Sequence, residues 1–260
     1  MPSHLLVVDV GNTNIVLGIY RDDVLVNSWR MATARERTAD EYGSMAKLLI
    51  GDALDDSIEG AIVSSVVPPL NSAMSWMIGK YFGIQPLFVE PGVKTGIGIH
   101  VDNPQEVGAD RIVNCVAAHA AYGGPLIIVD FGTATTFDCI TADGKFIGGV
   151  IMPGLRTASD ELVRKTAKLP ATELTPPTRA IGRRTEDCIR AGVLWGTADA
   201  VDGLVRRIKA EWPSKTEPIV VATGGLAGLV APLCKEIESV HPDLTLIGLR
   251  IAATALGLKW

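Results

Sequence analysis

One short unit occurs twice in this chain. Val7-Val8-Asp9-Val10-Gly11-Asn12-Thr13-Asn14 returns in altered form as Ile128-Val129-Asp130-Phe131-Gly132-Thr133-Ala134-Thr135. Each copy reads as an apolar strand ending in an aspartate, followed by glycine and small hydroxyl or amide residues. A repeat of this kind constrains the fold more than any single motif, because it implies one supersecondary plan used twice.

The flanking patterns support that duplication. Residues 4–10, 15–20 and 24–31 read as three short strands, with turns at Gly11-Asn12 and Arg21-Asp22-Asp23. Thr38-Ala39-Asp40-Glu41 has the form of a capping box, and Tyr42, Met45, Ala46, Leu48 and Leu49 supply the apolar face of a helix ending near Gly51. Ala61-Ile62-Val63 reads as a buried strand, Pro68-Pro69 as the start of a helix to about Tyr81, and Leu87-Phe88-Val89 as a further strand. The second half repeats the order, with strands near 125–130, 135–141 and 145–152, a helix from about 155, a strand at 218–222 and a helix at 225–236. Long helices are also expected near 104–122 and 186–210, and a loop at Leu174–Gly182 around Pro176-Pro177.

The predicted architecture is α/β. Two duplicated lobes, residues 1–115 and 116–260, each carry a mixed five-stranded sheet with helices, and a cleft is expected between them. A helix from Pro104 to Tyr122 joins them.

Composition narrows the class. A formal net charge of −5 over 260 residues argues against a general nucleic-acid surface. No apolar run approaches the roughly 20 residues of a bilayer span, and no leader precedes the first strand, so a cytoplasmic protein without membrane contact is expected. The four cysteines, Cys115, Cys139, Cys188 and Cys234, and the four histidines have no zinc-ligand spacing.

The two Asp-Gly turns suit phosphate. Gly11 allows close backbone approach, Asn12 serves a tight turn, and Thr13 offers a hydroxyl donor. Asp9 repels phosphate unless a cation or water lies between them, so its expected role is to organise Mg²⁺ and its waters. Neither a Gly-x-x-x-x-Gly-Lys-Ser/Thr loop nor a Gly-x-Gly-x-x-Gly fingerprint occurs. Thr223-Gly224-Gly225, between a strand and a helix, reads either as a packing turn or as a nucleotide approach. Glu106-Val107-Gly108-Ala109-Asp110-Arg111 also has two readings. Asp110 either stabilises a helix start or accepts a proton from an alcohol, and Arg111 is either its surface partner or a ligand for a carboxylate or phosphate.

Taken in order, Asp9-Val10-Gly11-Asn12-Thr13, Gly108-Ala109-Asp110-Arg111 and Asp130-Phe131-Gly132-Thr133 resemble the motifs of the type III pantothenate kinases, in the acetate and sugar kinase/Hsp70/actin superfamily. Ser64-Ser65-Val66-Val67-Pro68, Gly148-Gly149-Val150-Ile151-Met152-Pro153-Gly154 and Ala222-Thr223-Gly224-Gly225 add to the similarity. The resemblance implies ribonuclease H-like, actin-like lobes and ATP-dependent phosphorylation of pantothenate to 4′-phosphopantothenate. It implies that Asp110 is the proton acceptor and that Gly108, Ala109, Asp110, Arg111 and Thr185 contact pantothenate. It further implies ATP contacts over Asp9, Val10, Gly11, Asn12, Thr13, Asn14, Ile15, Val16 and Thr133, with Asp130 at a monovalent cation, K⁺ or NH₄⁺. Mg²⁺ and a homodimer belong to the same expectation. Arg184 stands where the family often has Asn, and Val101 where some relatives carry Tyr. A kinase for another small alcohol and a nucleotide-responsive regulatory protein of the same fold are the competing readings.

Overall fold

The computed structural model describes residues 4–51 and 58–260. Its residues group into two compact units, Met1–Ala120 with Thr245–Trp260, and Ala121–Leu244. The last helix therefore belongs with the first unit rather than with the segment that precedes it.

In the first unit, β1 (His4–Val10), β2 (Asn14–Arg21) and β3 (Val24–Ala32) form an antiparallel meander. Next come α1 (Ala39–Ile50), β4 (Ile58–Ser65), α2 (Pro68–Phe82), and the short strands β5 (Leu87–Phe88) and β6 (Gly98–Ile99). The sheet order is β3-β2-β1-β4-β5, with β4 parallel to β1 and β5 parallel to β4. One sheet face packs on α1 and α2 through Leu6, Val8, Val10, Tyr42, Ala46, Leu70, Met74 and Ile78, all buried. Thr38 caps α1 in the expected reciprocal capping box with Glu41. Proline opens α2, and Gly83 closes it in the left-handed conformation.

The expected helix over 104–122 is interrupted. A 3₁₀ turn at Pro104–Glu106 is followed by extended Val107, and α3 then runs Ala109–Tyr122. That break makes Gly108 the residue before the helix, and Ile112 N–H donates to Gly108 O at 3.2 Å.

The second unit repeats the plan. Strands β7 (Leu126–Phe131), β8 (Ala134–Ile140), β9 (Lys145–Pro153), β10 (Ile219–Thr223) and β11 (Ser239–Val240) lie in the order β9-β8-β7-β10-β11, in a sheet that has six strands among the described residues where five were expected. Even the irregularities correspond. The β2–β3 ladder shifts register between Ile19 and Tyr20, and β8–β9 shifts between Cys139 and Ile140, the same place relative to each loop aspartate. The core of this unit gathers Ile127, Val129, Phe131, Phe137, Leu155, Leu194, Val201 and Val220.

Helices differ from expectation in three further places. After α4 (Leu155–Lys165), the segment expected as one helix over 186–210 is α5 (Thr185–Arg190), a π-helical stretch Ala191–Trp195, and α6 (Gly196–Ala210). The expected helix over 225–236 is only α7 (Ala227–Val230) and a 3₁₀ turn Ala231–Leu233, because Pro232 cannot supply a helical N–H. Finally, Leu244–Ala255 forms α8, a helix absent from the sequence-based expectation. Its signal is nonetheless present, since Leu246, Leu249, Ala252 and Ala253 are spaced for one face and are buried. Gly248 lets α8 approach α3 closely, as a Cβ there would collide with the Val113 carbonyl.

Candidate active site

In each unit the repeated turn sits at the carboxyl end of the central strand. After β1, Gly11 N–H donates to Asn14 O at 3.0 Å, while Thr33 Oγ1 and Thr33 N–H reach Gly11 O at 2.7 Å and Thr13 O at 3.0 Å. Asp9 is half-buried, and Asn12 and Thr13 are exposed at the tip. The strand pairing places Val10 opposite Ile15, and both side chains lie wholly in the core. Of the residues expected to meet nucleotide, Gly11, Asn12 and Thr13 thus have an open turn; Val10 and Ile15 offer backbone only.

The second turn is one residue shorter. Phe131 pairs with Thr135, and Gly132 N–H donates to Ala134 O at 3.1 Å. Behind it lies the start of α4, where Gly154 N–H and the Thr157 hydroxyl both donate to Thr133 O, at 3.2 and 2.7 Å. Gly154 packs so tightly on Gly132 and Thr133 that any Cβ would overlap their carbonyls. The Thr133 side chain is left exposed with its backbone held.

The Thr223-Gly224-Gly225 turn closes over Asp130. Thr223 is the β10 partner of Asp130, and Gly224 has φ +93°, a conformation suited to glycine. A Cβ at residue 224 would strike Asp130 Oδ1 and the Phe131 backbone. The Thr223 hydroxyl donates to His241 O at 2.7 Å, tying β10 to the segment after β11. Of the two readings open for this turn, packing accounts for Gly224 directly.

In the first unit, the break before α3 builds the Gly108–Arg111 turn. Asp110 Oδ1 accepts the Arg111 backbone N–H at 2.8 Å, and a Cβ on Gly108 would lie 2.5 Å from that oxygen and 3.3 Å from Val66 Cγ1. Val66 in turn donates its N–H to Val10 O at 3.0 Å. The end of β1, the segment after β4 and the Gly108–Arg111 turn are thereby brought together. Ser65 has a local structural part, since its hydroxyl donates to Asn71 Oδ1 at 2.6 Å and accepts from Val67 N–H at 3.2 Å.

Burial pushes the Asp110 carboxyl above its ordinary range, with the Arg111 N–H and guanidinium pulling the other way. The residue keeps part of its surface open although its carboxyl is densely surrounded. A carboxylate with raised basicity, held by one backbone donor at a helix start, can accept a proton from a hydroxyl. Arg111, half-buried beside it, carries a planar guanidinium suited to a carboxylate or phosphate.

Thr185 is exposed and opens α5, behind a segment anchored by Arg190 Nε to Glu173 O at 2.9 Å and by Gly182 packed against Cys188. Among the described residues no group of three or more His, Cys, Asp or Glu forms a metal cluster. No helix there is long and apolar enough to cross a membrane.

Comparison with known proteins agrees with this architecture. A family model described as type III pantothenate kinase matches residues 5–207. The chain is 52% identical over 249 residues to the type III pantothenate kinase of Moorella thermoacetica, covering 95% of this chain and 97% of the relative. It is 51% identical over 250 residues to that of Geobacter sulfurreducens, with the same coverage. Among solved structures, ethanolamine utilization protein EutJ from Carboxydothermus hydrogenoformans aligns at TM-score 0.57 and 14% identity, covering 96% of this chain and 90% of that one. Component A of (R)-2-hydroxyglutaryl-CoA dehydratase from Acidaminococcus fermentans aligns at TM-score 0.55 and 16% identity, covering 96% of both chains. At those identities the likeness concerns the fold alone.

Proposed function

The chain belongs to the type III pantothenate kinase family, whose members phosphorylate pantothenate with ATP to give 4′-phosphopantothenate, the first step of coenzyme A biosynthesis, and on that premise we propose how its residues divide the work. Asp110 is the proton acceptor for the pantothenate hydroxyl. The observation that carries this assignment is the seat of its carboxyl, buried, raised in pKa, and oriented by the Arg111 N–H against Gly108.

Gly108, Ala109 and Arg111 bind pantothenate, with the guanidinium on its carboxylate, and Thr185 adds a hydroxyl contact. The Asp9–Val16 and Thr133 turns hold ATP at their exposed tips, Asn12 and Thr13 in the first and Thr133 in the second, through backbone there and the Thr13 and Thr133 hydroxyls. Phosphoryl transfer needs little covalent help from the protein, so alignment and charge stabilisation dominate, and the base contributes on the order of 10²–10⁴-fold. Asp110 accepts the proton late, as the hydroxyl oxygen bonds to phosphorus.

Two cations fit the donors present. Asp9, a half-buried carboxylate at the end of β1, would hold Mg²⁺, a hard cation that prefers oxygen donors. Asp130, under the Gly224 turn, suits K⁺ or NH₄⁺. Such ions supply positive charge that offsets repulsion between the aspartates and the polyphosphate. We place the enzyme in the cytoplasm as a homodimer; light scattering on the eluted active species checks the assembly, and a monomer with full turnover excludes it.

The test of the reaction assignment is incubation with ATP, Mg²⁺, K⁺ and pantothenate, with 4′-phosphopantothenate read by mass spectrometry. Product from wild type and none from Asp110→Asn is the expected result. Equal product from both removes Asp110 from the role.

A further inference from the structure

The duplicated plan gives each loop aspartate a hydroxyl residue as its neighbour on the adjacent parallel strand. Asp130 on β7 pairs with Thr223 on β10, and Asp9 on β1 pairs with Ser64 on β4. Register partners in a sheet project from the same face, so each hydroxyl stands beside its carboxylate. The two hydroxyls have different fates. Thr223 Oγ1 donates to His241 O at 2.7 Å, which uses it structurally. Ser64 is fully buried, and its Oγ finds no hydrogen-bond partner among the described residues. The next residue, Ser65, is engaged with Asn71 and Val67, so Ser64 is the hydroxyl of the Ser64–Pro68 motif that local structure does not explain.

A buried hydroxyl without a partner is uncommon and calls for a reason. The neighbouring Asp9 Oδ1 is likewise shut off from solvent. We propose that Ser64 is a positioning residue for Asp9: in the nucleotide-bound enzyme its O–H donates to the Asp9 carboxylate and orients it toward the waters of the divalent cation. The inference rests on the assignment of Asp9 to hydrated Mg²⁺. Ser64 touches neither nucleotide nor pantothenate in this scheme, and its effect passes through Asp9. Unit two needs no such device, because its hydroxyl is committed to holding the chain.

The test is calorimetric binding of a non-hydrolysable ATP analogue, with and without Mg²⁺, to wild type, Ser64→Ala, Asp9→Asn and the double variant, with melting temperatures in parallel. Ser64→Ala is expected to lower Mg²⁺-dependent binding about 10-fold, as for loss of an outer-shell partner, with no effect in chelator and no further loss in the Asp9→Asn background. Ser64→Thr, the residue type found at the corresponding place in unit two, restores the Mg²⁺ dependence. Unchanged Mg²⁺ dependence in Ser64→Ala, while Asp9→Asn loses it, overturns the role of Ser64 and leaves Asp9 standing. Unchanged dependence in Asp9→Asn overturns both. A loss of equal size with and without Mg²⁺, accompanied by a lower melting temperature, marks Ser64 as packing only and also overturns the proposal.

Discussion

Gly108 leaves the space that the Asp110 carboxyl occupies: a side-chain carbon at residue 108 would stand 2.5 Å from Asp110 Oδ1, well inside contact distance. Moving that oxygen aside would cost it the Arg111 N–H it accepts at 2.8 Å. Gly108 therefore serves the site through Asp110, in addition to starting a helix.

Gly108→Ala is accordingly expected to push the carboxyl off its backbone donor. A displacement near 1 Å at a reacting group costs about 10²-fold in turnover, and that loss should appear in kcat, with ATP-analogue affinity retained. Steady-state kinetics beside calorimetry separate the two. Wild-type turnover would show that Asp110 works from another position.

Asp110→Asn should abolish most turnover without lowering stability at neutral pH. Burial raises the folded-state pKa, so folding favours the protonated carboxyl. That favourable contribution is complete below the unfolded value of about 3.9, and it is lost as pH rises through the raised folded value. Above it the ionised group is a net cost that a neutral amide removes. Thermal melts of both proteins at pH 7 check the sign: a melting temperature for the variant clearly below wild type contradicts it.

The same shift sets the acid limb of activity. Because Asp110 must be ionised to accept a proton, kcat/KM should fall on acidification at a pH above the ordinary carboxylate range. A pH–rate profile flat down to about 4 would remove the raised group from the rate law.

Gly224→Ala combines a φ of +93° with overlap on Asp130 Oδ1 and the Phe131 backbone. The strain should cost about 1–3 kcal/mol. Displacement of Asp130 should also raise the K⁺ concentration needed for half-activation. Asp130→Ala should raise it without the strain, so the pair of variants distinguishes backbone from carboxylate. Denaturant melts and K⁺ titrations measure each part.

Asp202 joins two segments of the second unit. Buried on α6, its carboxylate accepts the N–H groups of Lys235 and Glu236 at 2.9–3.0 Å, which secures the chain after the short 3₁₀ turn. Asp202→Ala should lower stability by about 3 kcal/mol, since it strips two backbone donors of a charged acceptor. Substrate KM values at low temperature should stay at wild-type level.

Much of the fold is legible in the residues themselves, and the legible parts are local. The paired Asp-Gly turns, the Thr38 capping box and the proline at the head of α2 depend on contacts within a few residues. Turn chemistry, caps and hydrophobic period act over that range, so the residue string specifies them, along with the duplication that points to two like-built units. Where the string and the structure part, at the break before Ala109, the π-helical stretch 191–195 and the shortened helix after Gly225, periodicity alone overstates regularity.

The remaining relationships join distant residues and come from the tertiary fold. Gly224 lies far beyond Asp130 in the chain, yet it shelters that carboxylate because β10 pairs with β7. Helix α8 comes last in sequence and packs through Gly248 onto α3 of the first unit. Ser64 and Ser65 look interchangeable as letters. The alternation of a strand turns one toward α2 and seals the other beside Asp9, and which neighbour a side chain meets is settled by strand pairing and helix packing, interactions that a local pattern does not encode.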